Sequence, residues 1–223
     1  LSAGLEHSMT FTNNEYTGDV SALNKVRRRE LYFFSEVKGR WKQLGYSAGV
    51  GMANKTYSQE SYSFDYWTFR PKLTLNYEVL TGLSARYTFE TYRRVSSYAM
   101  VSDAKVRENS REWKVGNPNL QPSRVLKNIL DVSYNGKRVS CGMNMEYRRD
   151  LGSNMSVYER TATDEFLYSQ QNIGNIMMFV VQNYVRYDVV PERLSVTLFG
   201  GINRFFNISS LYRHHLTSYN YGG

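Results

Sequence analysis

The sequence predicts an all-β fold, an antiparallel up-and-down transmembrane β-barrel, with residues 1–223 forming part of a single barrel domain. Three observations predict it. Apolar and polar residues alternate over segments of about 9 to 11 residues, short turns alternate with long polar connections, and aromatic residues gather near the predicted strand ends. Mean hydropathy is −0.53, and no run approaches the roughly 20 apolar residues of a membrane-spanning helix. A helical membrane protein is therefore excluded, and the single cysteine excludes a disulfide framework.

A period of two dominates the chain, as expected for strands with one apolar face. In residues 44–52, for example, Leu44, Tyr46 and Val50 share one face, while Gly45 and Ser47 lie on the other. Strands are predicted, in order, at 5–11, 31–41, 44–52, 72–79, 83–90, 126–134, 139–148, 177–187 and 194–202, with a tenth near Tyr212. No helix is predicted.

The connections fall into two classes. Short turns are predicted at 42–43, 80–82, 135–137 and 190–193, and Asn135-Gly136 favours a hairpin because both residues tolerate positive φ. Long polar connections are predicted at 13–29, 57–65, 93–121 and 150–171. Short periplasmic turns and long extracellular loops are typical of outer-membrane β-barrels.

The polar faces of the predicted strands suit a wet lumen, with charged side chains such as Lys72, Arg86, Glu90 and Glu146 among many Gly and Ser. Arg86 and Glu90 are expected to satisfy each other. Periodicity alone also fits a soluble β-sandwich binding module or a propeller, in which the apolar face packs into a core. Strand length and the asymmetry of the connections favour the barrel.

One segment carries a resemblance to a known family. Residues 115–122 read VGNPNLQP and resemble the GNPxLxP signature of TonB-dependent receptor barrels, particularly the outer-membrane β-barrel family common in Bacteroidota. The motif residues are Gly116, Asn117, Pro118, Leu120 and Pro122. We expect Gly116 to allow an unusual φ and the two prolines to stiffen the re-entry into the next strand. Segments 30–36, 69–75 and 83–94 resemble further strands of the family, and the resemblance covers about residues 25–205.

The resemblance implies an outer-membrane receptor or transporter barrel that mediates nutrient uptake across a Gram-negative outer membrane. It implies a TonB-type energy-coupling complex as partner if the full-length protein carries a plug, and a surface lipoprotein as a further partner. The plug domain and the C-terminal aromatic strand of the family are expected to lie outside residues 1–223, because both ends resemble the interior of a longer chain. Outer-membrane lipid and lipopolysaccharide are expected around the barrel.

Four residues in the long connections are candidates for ligand contact: Tyr98, Arg107, Trp113 and Tyr158. Aromatic rings beside arginine suit a sugar, a peptide or an iron chelate equally. A barrel without transport activity, such as an adhesin or a scaffold, remains an alternative.

Other chemistry is not expected. His7 is distant from His214 and His215, and adjacent side chains on a strand face opposite ways, so no metal site is predicted. Cys141 alternates with Val139 and Met143 as a small apolar residue. No catalytic or cofactor motif occurs. The basic groups at 25–29, 93–94 and 148–149 are interpreted as a rim facing lipopolysaccharide rather than a nucleic-acid site.

Overall fold

The computed structural model describes residues 1–16, 22–59, 62–96, 98–101 and 105–223. Its elements, in chain order, are β1 (Ser2–Tyr16), β2 (Ala22–Trp41), β3 (Leu44–Gln59), β4 (Tyr62–Phe69), β5 (Lys72–Leu80), β6 (Leu83–Arg94), α1 (Tyr98–Val101), β7 (Lys105–Asn109), β8 (Glu112–Val115), β9 (Ser123–Asn135), β10 (Val139–Arg160), β11 (Phe166–Val190), β12 (Leu194–Ser209) and β13 (Arg213–Gly222). The short helix α1 was not predicted. In the described ranges, no helix has the length and apolarity required to span a bilayer.

All strands belong to one sheet, in which ten follow the path β1-β2-β3-β5-β6-β9-β10-β11-β12-β13 with antiparallel neighbours. Strand β4 pairs with residues 52–59 of β3, and β5 pairs with residues 44–49 of β3. Strands β4 and β5 therefore act as one strand that is interrupted at Arg70 and Pro71. The predicted up-and-down order is confirmed. The β-sandwich alternative is wrong, because the strands form one sheet and not two stacked ones.

The register places the apolar stripes of neighbouring strands side by side. One cross-strand row consists of Tyr46, Leu75, Tyr87, Leu130, Met145, Val181, Ile202 and Tyr219. The adjacent row, on the opposite side of the sheet, consists of Gly45, Asn76, Arg86, Asp131, Asn144, Gln182, Gly201 and Asn220. We call the side of the first row the outer face and that of the second row the inner face.

Over residues 46–53 of β3, exposure distinguishes the two faces. On β3 the outer residues Val50 and Met52 are 52% and 42% exposed, whereas Ala53 on the inner face is fully covered. Aromatic side chains border the outer face at both ends of the strands. Trp41, Tyr77, Tyr134 and Tyr187 lie near the short turns, and Trp67, Phe69, Phe89 and Tyr147 lie toward the long hairpins. This is the arrangement of a lipid-facing band between two aromatic girdles.

Several strands continue far beyond the length of one bilayer crossing. Strands β10 and β11 have 22 and 25 residues, although about 9 to 11 suffice to cross. The predicted long loops at 13–29, 57–65 and 150–171 are therefore wrong over most of their length, because they form paired hairpin strands. Beyond the bilayer the outer face of a hairpin no longer contacts lipid, so the ladder can continue without an apolar outer stripe.

The four short turns are confirmed by the strand ends on either side of them. Lys42, Gly82 and Glu192 have positive φ in three of them. The expected positive φ at Asn135 and Gly136 is wrong, because that connection runs through three residues from Asn135 to Val139 instead of forming a two-residue turn.

Replacement of Gly82 by alanine is expected to lower the free energy of unfolding by about 1 to 3 kcal/mol. Gly82 has a φ of 84°, and an added Cβ would lie 2.5 Å from the backbone oxygen of Asn135. Gly200→Ala is the matched control, because its Cβ would have ordinary contacts from 3.7 Å. The measurement is the denaturant midpoint of the protein folded into lipid vesicles. Equal losses in the two variants would contradict the strain at Gly82.

The sheet is open among the described residues. Strand β1 pairs only with β2 and β13 only with β12. In hydrocarbon every backbone N–H and C=O must be paired, so both edges need a further strand partner in a membrane.

Candidate functional site

The inner face carries ion pairs that run across strands. Lys127 on β9 pairs with Glu146 on β10 at 3.6 Å, and Glu30 on β2 pairs with Lys55 on β3 at 2.7 Å. The expected pair of Arg86 with Glu90 is wrong, because residues four apart on one strand are separated by about 13 Å. Glu90 instead lies opposite Lys72 and Lys127. Several charges of the inner face are thus paired across neighbouring strands.

Asp150 is the most deeply buried carboxylate of this wall, at 1% exposure. It forms ion pairs with Arg94 on β6 at 2.9 Å and with Arg148 at 3.2 Å. A bulge follows it in β10, where Gly152 has a φ of 65°. Asp150 therefore joins the end of β6 to β10 at the point where the long β6–β9 connection begins.

The β6–β9 connection is attached by hydrogen bonds to β10 and β11, close to the bulge in β10. Asn172 of β11 accepts a hydrogen bond from the Gln121 amide at 2.7 Å and donates to the Gln121 carbonyl at 2.9 Å. Asn154 of β10 donates to Ser96. Strand β8 pairs in parallel with β11, so the connection extends past β10. Sequence reasoning missed Asn172, although Tyr168, Gln170 and Asn172 form a polar alternation within β11.

The family motif forms the last turn of the connection. Asn117 donates its side-chain amide to the Gln170 carbonyl at 2.9 Å and its backbone N–H to the Met100 carbonyl at 2.7 Å, and its side-chain oxygen accepts from the Asn119 amide. Leu120, at 2% exposure, belongs to one buried cluster with Val101 and, from β2 and β3, Val26 and Tyr57.

The motif therefore holds the β6–β9 connection against two separate parts of the sheet, one formed by β10 and β11 and the other by β2 and β3. Pro118 is half-buried and Pro122 is buried at the entry to β9. The unusual φ expected at Gly116 is wrong, because positive φ values among the described glycines occur at Gly82 and Gly152.

Three of the four candidate ligand residues lie on hairpins that β8 and β11 bring together. Arg107 on β7 lies opposite Trp113 on β8, with its guanidinium carbon 5.1 Å from the Trp113 ring centre. The Lys105 ammonium lies 4.5 Å from the same ring. Arg107 also pairs with Glu165 at 3.5 Å.

Tyr158 on β10 is 59% exposed and packs edge-on against Tyr168 of β11 at 5.1 Å. Partial desolvation, and then the negative charge of Glu112, raises the pKa of Tyr158. Tyr168 lies opposite Lys114 of β8, whereas Leu167 lies opposite Trp113, so the two tyrosines face the other side of the β8–β11 pair from Trp113. We call Lys105, Arg107 and Trp113 the rim cluster. Sequence reasoning missed Lys105, because only the strand pairing places it beside Trp113.

The fourth candidate, Tyr98, begins α1, and its side chain lies outside the described part of the structure. Of the residues considered for other chemistry, Cys141 lies on the outer face opposite Val185 and Tyr134. Within the described ranges, no three His, Cys, Asp or Glu side chains are grouped to hold a metal ion.

Near the short turns the inner face forms an open depression of about 580 Å³, whose polar lining residues include Arg40, Asn76, Glu78, Arg86 and Asp131. Aromatic rings on this face lie on glycines of the neighbouring strand. An added Cβ at Gly4, Gly51, Gly142 and Gly222 would meet the rings of Phe34, Tyr32, Tyr184 and Phe199 within 2.5 Å or less. Tyr184 therefore lies on the inner face and does not belong to the aromatic girdles of the outer face.

The fold is similar to solved transporter and receptor structures. The FrpB iron transporter from Neisseria meningitidis (F3-3 variant) matches 84% of this chain at 9% identity and a TM-score of 0.57, and the copper transporter OprC matches 98% at 7% identity and 0.66. The siderophore receptor PirA from Pseudomonas aeruginosa matches 99% at 10% identity and 0.53. At these identities the likeness shows the fold alone.

The chain spans 27%, 38% and 56% of the lengths of these three structures. The comparison with curated proteins found no match. The model of the outer membrane protein beta-barrel family matches residues 8–220, nearly the whole chain. The resemblance seen in the motif is thus confirmed at the level of the family, and with it the outer-membrane location. The chain belongs to the outer membrane protein beta-barrel family.

Proposed function

We propose that this chain is part of a receptor barrel that takes up a nutrient across a Gram-negative outer membrane with TonB-type energy coupling. The observation that carries the proposal is the pair of adjacent cross-strand rows, one apolar on the outer face and one polar on the inner face. Such a sheet presents a wet, charged wall to a solute and a lipid-compatible surface to the bilayer.

The rim cluster supports a ligand-binding role at the end of this wall. It combines two cations and an indole. Tyr158, which is 59% exposed, is a separate candidate on the other face of the β8–β11 pair. An aromatic face beside cations suits a sugar, a peptide or an iron chelate. The transport roles named for the FrpB and OprC structures favour uptake over a purely adhesive function.

A second candidate is a barrel that binds without transporting, such as an adhesin or a scaffold. The buried contacts of Val101 and Leu120 with Val26 and Tyr57 favour it, because they place the β6–β9 connection across the inner space. A connection that never moved would block passage.

Accumulation in whole cells separates the two candidates. Cells with and without the full protein are given labelled oligosaccharides, peptides and ferric chelates, with and without a protonophore. Transport predicts accumulation that depends on the protein and is lost with the protonophore. Surface binding that the protonophore leaves unchanged would support the second candidate and contradict the first.

Replacement of Trp113 by leucine is expected to weaken binding of the accumulated ligand by at least about tenfold, because stacked tryptophans commonly contribute about 2 kcal/mol or more to binding. Trp67→Leu is the matched control, because Trp67 lies on the outer face of β4 and is 54% exposed. Binding is measured as the dissociation constant on intact cells. Equal weakening in both variants would argue against the rim cluster as the ligand site.

A further inference from the structure

The inner face of the last four strands carries a row of two aromatic rings between two glycines. Tyr184 on β11 lies opposite Gly142 on β10 and Phe199 on β12. Phe199 in turn lies opposite Gly222 on β13. The Tyr184 ring lies over Gly142 and the Phe199 ring over Gly222, because a Cβ at either glycine would meet ring atoms within 2.5 Å. We call Tyr184 and Phe199 the aromatic platform.

Both rings of the aromatic platform are exposed, although they lie on the side of the sheet away from the lipid-facing band. Tyr184 is 41% exposed and Phe199 is 48% exposed. Apolar surface in contact with water is unfavourable, so a ligand that covers these rings gains binding free energy. The aromatic platform is therefore a surface on which a solute in the inner space can stack.

A row of amide side chains runs beside the aromatic platform, two residues further along each strand. It contains Asn144 on β10, Gln182 on β11 and Asn220 on β13, and Gly201 on β12 lies between the last two. Each amide offers both hydrogen-bond donors and an acceptor. The aromatic platform and the three amides line one open depression of about 320 Å³, which is within the size range of small-molecule sites.

This depression carries little charge. Among its described lining residues Asp131 is the one charged side chain, and it accepts a hydrogen bond from Asn144 at 2.6 Å. The inner residues of β12 between 195 and 207 include no charged side chain. The next inner residues of β11 toward the short turns, Arg186 and Asp188, pair with each other at 3.0 Å. The described lining thus offers no cation to an anionic ligand.

We propose that the depression binds a neutral sugar unit, which makes carbohydrate the substrate class of the barrel. One face of a sugar ring is made of C–H groups and stacks on an aromatic ring, while the hydroxyls at its edge both donate and accept hydrogen bonds. Flat rings beside a row of amides match both features. A charged ferric chelate, or a short peptide with charged ends, lacks a counter-charge here.

The depression is separate from the rim cluster, because it lies toward the short turns and the rim cluster lies on the long hairpins. A solute that has passed the rim would meet it further along the inner face. The inference rests on the proposed uptake function, since it requires a solute to enter the inner space.

The test compares Tyr184→Leu with Tyr187→Leu, because Tyr187 belongs to the same strand and is 45% exposed on the outer face. Tyr184→Phe retains the ring without its hydroxyl. The full protein in a polyoxyethylene detergent, which has no sugar headgroup, is titrated with maltotetraose, cellotetraose, tetraalanine and ferric citrate. Dissociation constants are measured by isothermal titration calorimetry, and heat-modifiable migration on a gel verifies folding of each variant.

We expect at least one of the two oligosaccharides to bind the wild type. Its binding should weaken by about tenfold or more in Tyr184→Leu, which corresponds to about 1.4 kcal/mol, and remain within about twofold in Tyr184→Phe and Tyr187→Leu. No oligosaccharide binding by the wild type, equal weakening in Tyr184→Leu and Tyr187→Leu, or weaker binding of tetraalanine or ferric citrate in Tyr184→Leu would each overturn the proposal.

The sugar subsite and the uptake function fail in different experiments. Oligosaccharide binding that depends on Tyr184, without accumulation in cells, would contradict uptake and leave the subsite standing. Accumulation of another nutrient by a protein that binds neither oligosaccharide would overturn the subsite and leave uptake standing.

Discussion

Replacement of Met145 by arginine is expected to reduce the free energy of folding into a bilayer by about 2 to 4 kcal/mol, the cost of a charge on the lipid face near the midplane. Met145 lies on the outer face of β10, opposite Leu130 and Val181. Both cross-strand neighbours are apolar and offer no carboxylate to a guanidinium. The measurement is a denaturant titration of the whole protein in lipid vesicles.

Asn144→Arg is the matched control, because Asn144 is the neighbouring residue on the inner face and its side chain donates to Asp131 at 2.6 Å. An arginine there lies beside a carboxylate and water, so the expected loss is below about 1 kcal/mol. If both substitutions had the same cost, or if Asn144→Arg had the larger one, the assignment of outer and inner faces would be reversed or lost.

Replacement of Asp150 by alanine is expected to destabilise the protein by about 2 to 3 kcal/mol, somewhat less than a fully buried pair because Arg94 is 46% exposed. The change leaves Arg94 and Arg148 without their shared carboxylate. It also releases the start of the β6–β9 connection, so trypsin should cleave at Arg107 or Arg111 faster than in the wild type.

Asp188→Ala provides the comparison. Asp188 pairs with Arg186 at 3.0 Å, and both side chains are substantially exposed, so the expected loss is below about 1 kcal/mol. Unfolding free energies and tryptic cleavage rates are measured for both variants. A loss at Asp150 no greater than at Asp188 would exclude Asp150 as a fastening point of the connection.

The faces of the membrane-crossing strands could be predicted from the sequence, because lipid on one side and water on the other impose an alternation. Spacing alone assigns Leu44, Tyr46 and Val50 to one face, and the register places them on the outer face. The short turns could be predicted from the same alternation, since each turn interrupts it.

The upper hairpins and the rim cluster could not be predicted as fully. Residues 150–160 contain a bulge after Asp150 that interrupts the pattern, although pairing with β11 resumes at Ser153 and continues to Arg160. The parallel pairing of β8 with β11 joins residues about 50 apart in sequence, and nothing in the local pattern encodes it. The role of Asp150 depends on two arginines, of which Arg94 is distant in sequence.

Four aromatic rings on the inner face lie flat over glycines: Phe34, Tyr32, Tyr184 and Phe199. A ring that lies over a glycine projects less from the inner face than a ring displaced by a Cβ. Larger residues at the four glycines would displace the rings away from the sheet without altering any charge. The contour and the charge of the inner face therefore depend on different residues and can change separately.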